Sequence, residues 1–303
     1  MKIYGAGIAG LLAGCMFQQA RIFEASPENT AQHKAVLRFR SSAVGDAVGI
    51  DFRKVKVHKG LWLDGKAVTP SIQLANWYSR KVIGRLADRS IWNLEASERF
   101  IAPEDFIERL IERCAGRINW NHALTREEVL SEKEPVISTL PMNLMVKFMA
   151  NELSREFIES APTFNHEPIV VRRWRIPNAD VFQSVYFPGL DTSLYRASIT
   201  GDLLIAEYVD ASDDHPLFEA FGLSESDCVP IEKVSQRYGK IAKINDSWRK
   251  QFIFYLTHEH NIFSLGRFGT WRNLLLDDVI QDVAVLKKLM NTTTYDRMRA
   301  NAK

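Results

Sequence analysis

The first residues whose types and spacing point to chemistry are Gly5-Ala6-Gly7-Ile8-Ala9-Gly10. They follow a short β-prone piece, Lys2-Ile3-Tyr4, and open a stretch in which Leu11, Leu12, Cys15, Met16 and Ala20 recur at helical spacing. Arg21-Ile22-Phe23-Glu24 then reads as a second strand with an acid at its end. Strand, GxGxxG, helix, strand and acid form the setting in which this motif holds a dinucleotide. Gly5 makes the tight turn, Gly7 lets the backbone approach a pyrophosphate, and Gly10 lets the helix pack close to the strand. Ala9 stands in the same turn, and the helix N-terminus faces the anion. Glu24, 19 residues after Gly5, stands where an acid binds a ribose 2′-hydroxyl and disfavours a 2′-phosphate. The motif alone leaves NAD and FAD open; its place at the start of the chain leans towards FAD.

A second glycine turn lies near the other end. Asn261-Ile262-Phe263-Ser264-Leu265 is strand-like and runs into Gly266-Arg267-Phe268-Gly269-Thr270-Trp271-Arg272-Asn273. The following helix carries Val279, Val283, Leu286 and Met290 on one side, with Asp277 and Asp278 at its start and lysines at 287 and 288. That charge order suits the helix dipole. Two strand–turn–helix units at opposite ends of the chain are thus expected to hold one dinucleotide.

The segment SLGRFGTWRNLLLDDVI resembles the C-terminal flavin-binding segment of UDP-galactopyranose mutases and related amine-oxidase-type flavoproteins, through Gly266, Arg267, Thr270, Trp271 and Asp277. The resemblance implies FAD as cofactor, with Arg267 at its pyrophosphate and the helix start at Asp278 and Val279 offering backbone N–H groups to the isoalloxazine ring. Pro135-Val136-Ile137-Ser138-Thr139-Leu140-Pro141 is similar to the strand and turn by which these enzymes return to the FAD domain, which implies a cofactor role for Thr139; Arg38 is also expected at the cofactor. Two departures stand out: the chain reads Ala25-Ser26-Pro27-Glu28-Asn29 where the family has a second glycine pair, and Asn273 where the mutases have a tyrosine. More loosely, HKAVLRFRSSAVGDAVGI resembles phage-encoded FAD enzymes of thymine hypermodification, some of them lyases acting on amino-acid adducts of DNA.

The elements that must position these residues follow from pattern. Between Pro168 and Asp210, IVVRRWRI, VFQSVYF, SLYRASIT and LLIAEYV are strand-like runs separated by turn sequences, which predicts an antiparallel sheet. Pro103 to Ala115 predicts an amphipathic helix. The fold class expected is α/β, a Rossmann-like FAD-binding domain interleaved with an antiparallel-sheet (α+β) substrate domain. The boundaries read as 1–60, 100–150 and 255–303 for the first, and 61–99 and 151–254 for the second.

For the reaction, Lys240 in YGKIAKI is expected on a flavin-facing loop, and Arg196 in SLYRAS is placed to clamp a substrate anion. Lys54, Lys56 and His58 alternate with Val55 and Val57, so one face of that strand is basic. It is read either as a solvated edge that discourages aggregation or as a path for a phosphate-bearing substrate, a nucleotide or DNA. The histidines show no metal spacing beyond His258-Glu259-His260, read as a polar turn, so no metal is expected. The hard chemistry is assigned to the flavin. The expected activity is oxidation or cleavage of a C–N bond in an amine or amino-acid-like group; the alternative is a non-redox mutase acting on a nucleotide sugar.

Composition sets the outer limits. With 303 residues, 46% hydrophobic and 25% charged, the chain has the make-up of a globular protein with a sizeable core. A net charge of +2 does not by itself call for a nucleic-acid or membrane partner. No apolar run reaches the roughly 18 residues of a membrane span. Cys15, Cys114 and Cys228 are scattered and odd in number, which argues against a disulfide framework and for a reducing, cytoplasmic setting.

Overall fold

The computed structural model describes residues 1–28, 37–86, 90–210 and 215–291. Asn29, the first four residues of HKAVLRFRSSAVGDAVGI, and residues 292–303 of the first expected domain lie outside the described residues. The strands, in chain order, are β1 (Lys2–Tyr4), β2 (Arg21–Phe23), β3 (Arg38–Phe39), β4 (Arg53–Leu63), β5 (Lys66–Val68), β6 (Ser97–Ile101) and β7 (Ile118–Asn119). There follow β8 (Val136–Ser138), β9 (His166–Arg175), β10 (Val181–Tyr186), β11 (Leu194–Gly201), β12 (Leu203–Tyr208), β13 (Val229–Ile241) and β14 (Ile262–Ser264).

One sheet has the order β14-β8-β1-β2-β7 and is parallel throughout. Its strands read as short apolar runs because helices cover them: Ile3, Ile22, Ile137 and Phe263 are all buried. The helix Ile8–Met16 sinks Leu11 and Leu12 into the same core, beside Phe106 and Leu110 of the helix Phe106–Arg113. Pro103 precedes that helix by three residues instead of opening it. Cys15 and Cys114, 99 positions apart in sequence, meet across the two helices with 3.9 Å between their sulfurs.

The larger sheet runs β13-β9-β12-β11-β10-β4-β6-β3, with β5 beside β4. It is antiparallel except where β10 and β4 pair in parallel, a long crossover that the turn pattern does not announce. The sheet curls strongly. Arg38, on the edge strand β3, donates to Ser184 Oγ at 2.6 Å, to Thr200 Oγ1 at 2.6 Å and to the Ile199 carbonyl at 2.6 Å, on β10 and β11. Three strand spacings in a flat sheet would put β3 and β10 roughly 14 Å apart. Only a sheet folded back on itself lets one guanidinium bridge them. This spends Arg38 on the sheet rather than on the cofactor, and burial, then the charge of Arg196, pushes its pKa down to about 10.

Three expected domain boundaries fall inside continuous elements. Residue 60 lies within β4, residue 99 within β6, and residue 254 within the helix Asp246–Glu259. None of these breaks shows in composition, because strand and helix periodicities continue through all three. Among the described residues, no helix is long and apolar enough to cross a membrane, and no three metal-ligating side chains cluster.

The helix Ile72–Ile83 packs Leu74, Tyr78 and Val82 on the concave face of the sheet against Leu61, Val171 and Ile205. Lys81 locks it there. Its ammonium donates to the carbonyls of Phe187 (2.9 Å), Gly189 (2.6 Å) and Leu194 (2.6 Å). Burial pushes the Lys81 pKa down to about 8, partly offset by Asp191. Between pH 8 and 10.5 the unfolded chain therefore keeps a proton that the folded chain releases. Unfolding free energy from this lysine rises with pH across that window. Urea denaturation of the wild type and Lys81→Met at several pH values in the window should show their difference growing in favour of the wild type as pH rises.

Candidate active site

The opening turn is built by close approaches. A Cβ on Gly10 would lie 1.9 Å from the Gly5 carbonyl oxygen, and one on Gly5 would lie 2.5 Å from Thr139 Oγ1. Gly5 also has φ +94°, a conformation that L side chains avoid. Gly7 differs. Its φ of −63° suits any residue, and a Cβ there would meet nothing within 4 Å. Protein packing gives no reason for glycine at position 7; a ligand approaching the backbone at the helix N-terminus does.

Glu24 is tied into the turn. Its Oε2 accepts the Ala6 N–H at 2.7 Å and its Oε1 the Ser26 N–H at 2.9 Å. Thr139 also belongs to it, donating through Oγ1 to the Tyr4 carbonyl at 2.9 Å. The far glycine turn abuts the near one: a Cβ on Gly266, which has φ +77°, would come within 2.7 Å of Ala9 Cβ. A Cβ on Gly269 would come within 2.7 Å of the Ser138 carbonyl. Gly5, Gly7, Ala9, Gly10, Glu24, Thr139 and Gly266 are thus brought together.

The remaining residues of the second turn support the backbone. Thr270 Oγ1 donates to the Gly266 carbonyl at 2.7 Å. Trp271, buried and with φ +47°, donates its indole N–H to the Ala242 carbonyl at 3.0 Å. Asp277 accepts the backbone N–H groups of Arg40 (2.9 Å) and Ser41 (3.2 Å), which pins the segment after β3 to the start of the last helix, Leu276–Met290. Asp278 caps that helix through the Leu275 N–H and pairs with Arg40, and Val279 is buried in the core beneath it. Arg267 donates to the Gly239 carbonyl at 3.0 Å, while its buried Nε has no partner among the described residues. It leans towards β13, where the sequence expected it at the pyrophosphate.

Arg267 leads into a second cluster on the concave face. The pairing of β11 with β12 shifts between Leu194 and Arg196, so Tyr195 and Arg196 both reach Glu207. Such a bulge re-aims side chains that a regular strand would send to opposite faces. Glu207 takes the Arg196 guanidinium through both its oxygens and the Tyr195 hydroxyl at 3.3 Å. Burial alone would raise the Glu207 carboxyl, but the Arg196 charge holds it below the usual carboxylate range. Tyr195 is pushed well up, by burial first and Glu207 second. Arg196, expected as a free anion clamp, is thus already neutralised. Lys240 places its ammonium 4.7 Å from the centre of the Tyr195 ring. It also lines a cleft of about 980 Å³ with His166, Lys243, Trp271, Arg272 and Asn273.

Lys54, Lys56 and His58 point the other way. β4 turns Val55, Val57, Lys59 and Leu61 inward, and the register puts Lys59 beside Ser184 and Leu61 beside Tyr186 on the face that carries Arg196. The expected basic face is therefore the outer one, and Lys54 there pairs with Glu98 at 2.9 Å. The alternation was legible, but only the partner strands decide which face is enclosed. Lys59, Tyr186 and Glu207 are the concave-face residues that the sequence left unmarked.

The pair has a measurable consequence. Glu207 is buried but the Arg196 side chain is 34% exposed, so Glu207→Gln leaves a charge that water partly screens and should cost about 1–3 kcal/mol, less than breaking a fully buried pair. Urea denaturation should show a loss of that order for Glu207→Gln. Arg196→Met combined with Glu207→Leu should recover most of it.

Comparison with described protein families gives no match, and no curated protein matches the chain. Solved structures do match. Reduced UDP-galactopyranose mutase aligns over 97% of this chain and 94% of its own, with a TM-score of 0.67 and 13% identity. A double mutant of putrescine oxidase, from a redesign of its cofactor binding, aligns over 96% and 98%, with a TM-score of 0.58 and 9% identity. A fatty acid isomerase from P. acnes aligns over 95% and 97%, with a TM-score of 0.55 and 12% identity. A parallel sheet together with a large curled sheet is the fold this chain shares with them.

Proposed function

We propose that this protein is an FAD-dependent oxidoreductase that oxidises a C–N bond in a small amine or amino-acid-like substrate. The observation that carries the cofactor is Gly7, a glycine with ordinary dihedrals and open space where its side chain would be, between two glycines that packing requires. The residues present fit FAD. The turn Gly5–Gly10 and the helix Ile8–Met16 would hold the pyrophosphate, Glu24 keeps lone pairs for a ribose hydroxyl, and the last helix offers its N-terminus to the ring. Bound there, the flavin supplies a two-electron acceptor.

The chain's own residues do the rest. Tyr78, Tyr186 and Tyr195 pack edge-on in the core beneath the helix Ile72–Ile83, with ring centres 5.7 Å and 6.4 Å from Tyr78. Glu207 keeps Tyr195 and Arg196 fixed, and Lys240 stands between this aromatic cluster and the cleft. Putrescine oxidase, an oxidase of an amine, supports the C–N reading by its shared fold. The higher TM-score with UDP-galactopyranose mutase favours a second reading, a non-redox rearrangement of a nucleotide sugar. DNA as carrier of the amine has only Lys54, Lys56 and His58 behind it, on the outer face, so the reading takes a small-molecule substrate.

The purified protein should be yellow and release FAD on denaturation. An amine substrate should bleach it under anaerobic conditions, with colour returning on admission of oxygen. Turnover of a nucleotide sugar only after prior reduction, without oxygen consumption, would establish the mutase reading instead. A colourless protein that takes up no added FAD would overturn both.

A further inference from the structure

The concave face of the larger sheet holds more positive charge than its carboxylates balance. Arg38 is saturated by the strands it bridges, and Arg196 is paired with Glu207. Lys59 and Arg99 are not balanced in this way. The β4–β6 register sets Val55 opposite Arg99 and Val57 opposite Ser97, so Arg99 and Ser97 share the face to which Lys59 points. Among the described residues, the Lys59 ammonium makes no hydrogen bond or ion pair, and the Arg99 guanidinium donates only to the carbonyl of its neighbour Glu98. Ser97 Oγ is buried and also lacks a partner among the described residues.

These cations act on one another. Burial, then Arg99, lowers the Lys59 pKa, and the exposed Glu95 offsets this only in part. Arg99 also adds to the lowering at Arg38. Half-buried like charges of this kind raise the free energy of the empty face, and an anion between them lowers it.

We propose that Lys59, Arg99 and Ser97 form an anion site that takes a phosphate group of the substrate. A guanidinium offers a planar fork of N–H donors, an ammonium a compact point charge, and a serine hydroxyl a donor that rotates to suit. Together they match a tetrahedral dianion better than a planar monoanionic carboxylate. The site rests on the reading of the concave face as the substrate side, and it narrows that reading to phosphate-bearing substrates.

Calorimetric titration of the full-length protein with inorganic pyrophosphate at low salt tests the assignment, with acetate as the carboxylate comparison. Because the glycine turn also accepts phosphates, the titration is run on flavin-free and on FAD-saturated protein. The expected result is pyrophosphate binding that survives FAD saturation and weakens about tenfold or more in each of Lys59→Met and Arg99→Met. Arg99→Lys should lose less than Arg99→Met, and Lys288→Met, on an exposed helix face, should bind as the wild type does. Melting curves establish that each variant is folded. Wild-type affinity in folded Lys59→Met and Arg99→Met, acetate binding as tight as that of pyrophosphate, or displacement of pyrophosphate by FAD would each overturn the assignment. If the protein takes up no FAD, the flavoenzyme reading fails while the dependence on Lys59 and Arg99 is still read from the flavin-free titration.

Discussion

The whole structure depends on how closely four backbone segments approach one another at the opening turn. Gly10 lies against the Gly5 carbonyl, Gly5 against Thr139, Gly266 against Ala9, and Gly269 against the Ser138 carbonyl. These contacts join the end of β1, the start of the first helix, the end of β8 and the turn after β14. A single methyl group at several of these positions would force strands and helix apart. The two ends of the chain are therefore held together by steric necessity, and the parallel sheet is closed around the place where a dinucleotide would lie.

The larger sheet depends on that frame for its curl. Asp277, at the start of the last helix, grips the backbone of Arg40 and Ser41 just after β3. Arg38, two residues earlier, then reaches across to β10 and β11. One end of β3 is thus anchored to the glycine-turn region and the other side to the curled sheet. The concave face that results carries Arg196, Glu207, Tyr195 and Lys59, while the helix Ile72–Ile83 and its Lys81 close one side of it.

Much of this was legible in the residues and some was not, for physical reasons. The turn from Gly5 to Gly10, the acid at Glu24 and the strand–turn–helix at Gly266 are local patterns, and local geometry fixes what such residues do. The alternation in β4 was equally plain, yet it left open whether the basic side chains line a solvated edge or a substrate path, and they face outward. Period 2 says that two faces differ, and only the partners β10 and β6 say which one is enclosed. Arg38 read as a cofactor ligand because nothing in its neighbourhood foretells a sheet that folds back over it. Glu207 passed unnoticed because its meaning lies in a bulge at Tyr195, twelve residues earlier and on another strand.

The central claim is that Gly7 is glycine for a ligand and not for the fold. The most direct test compares Gly7→Ala with the wild type in thermal melting and in FAD affinity. The account predicts a melting temperature lowered only slightly, by the preference of a helix N-cap for glycine over alanine, since the added methyl group meets nothing within 4 Å. It predicts FAD binding weaker by about tenfold or more, ~1.4 kcal/mol at least. Wild-type FAD affinity in a folded Gly7→Ala protein would contradict it.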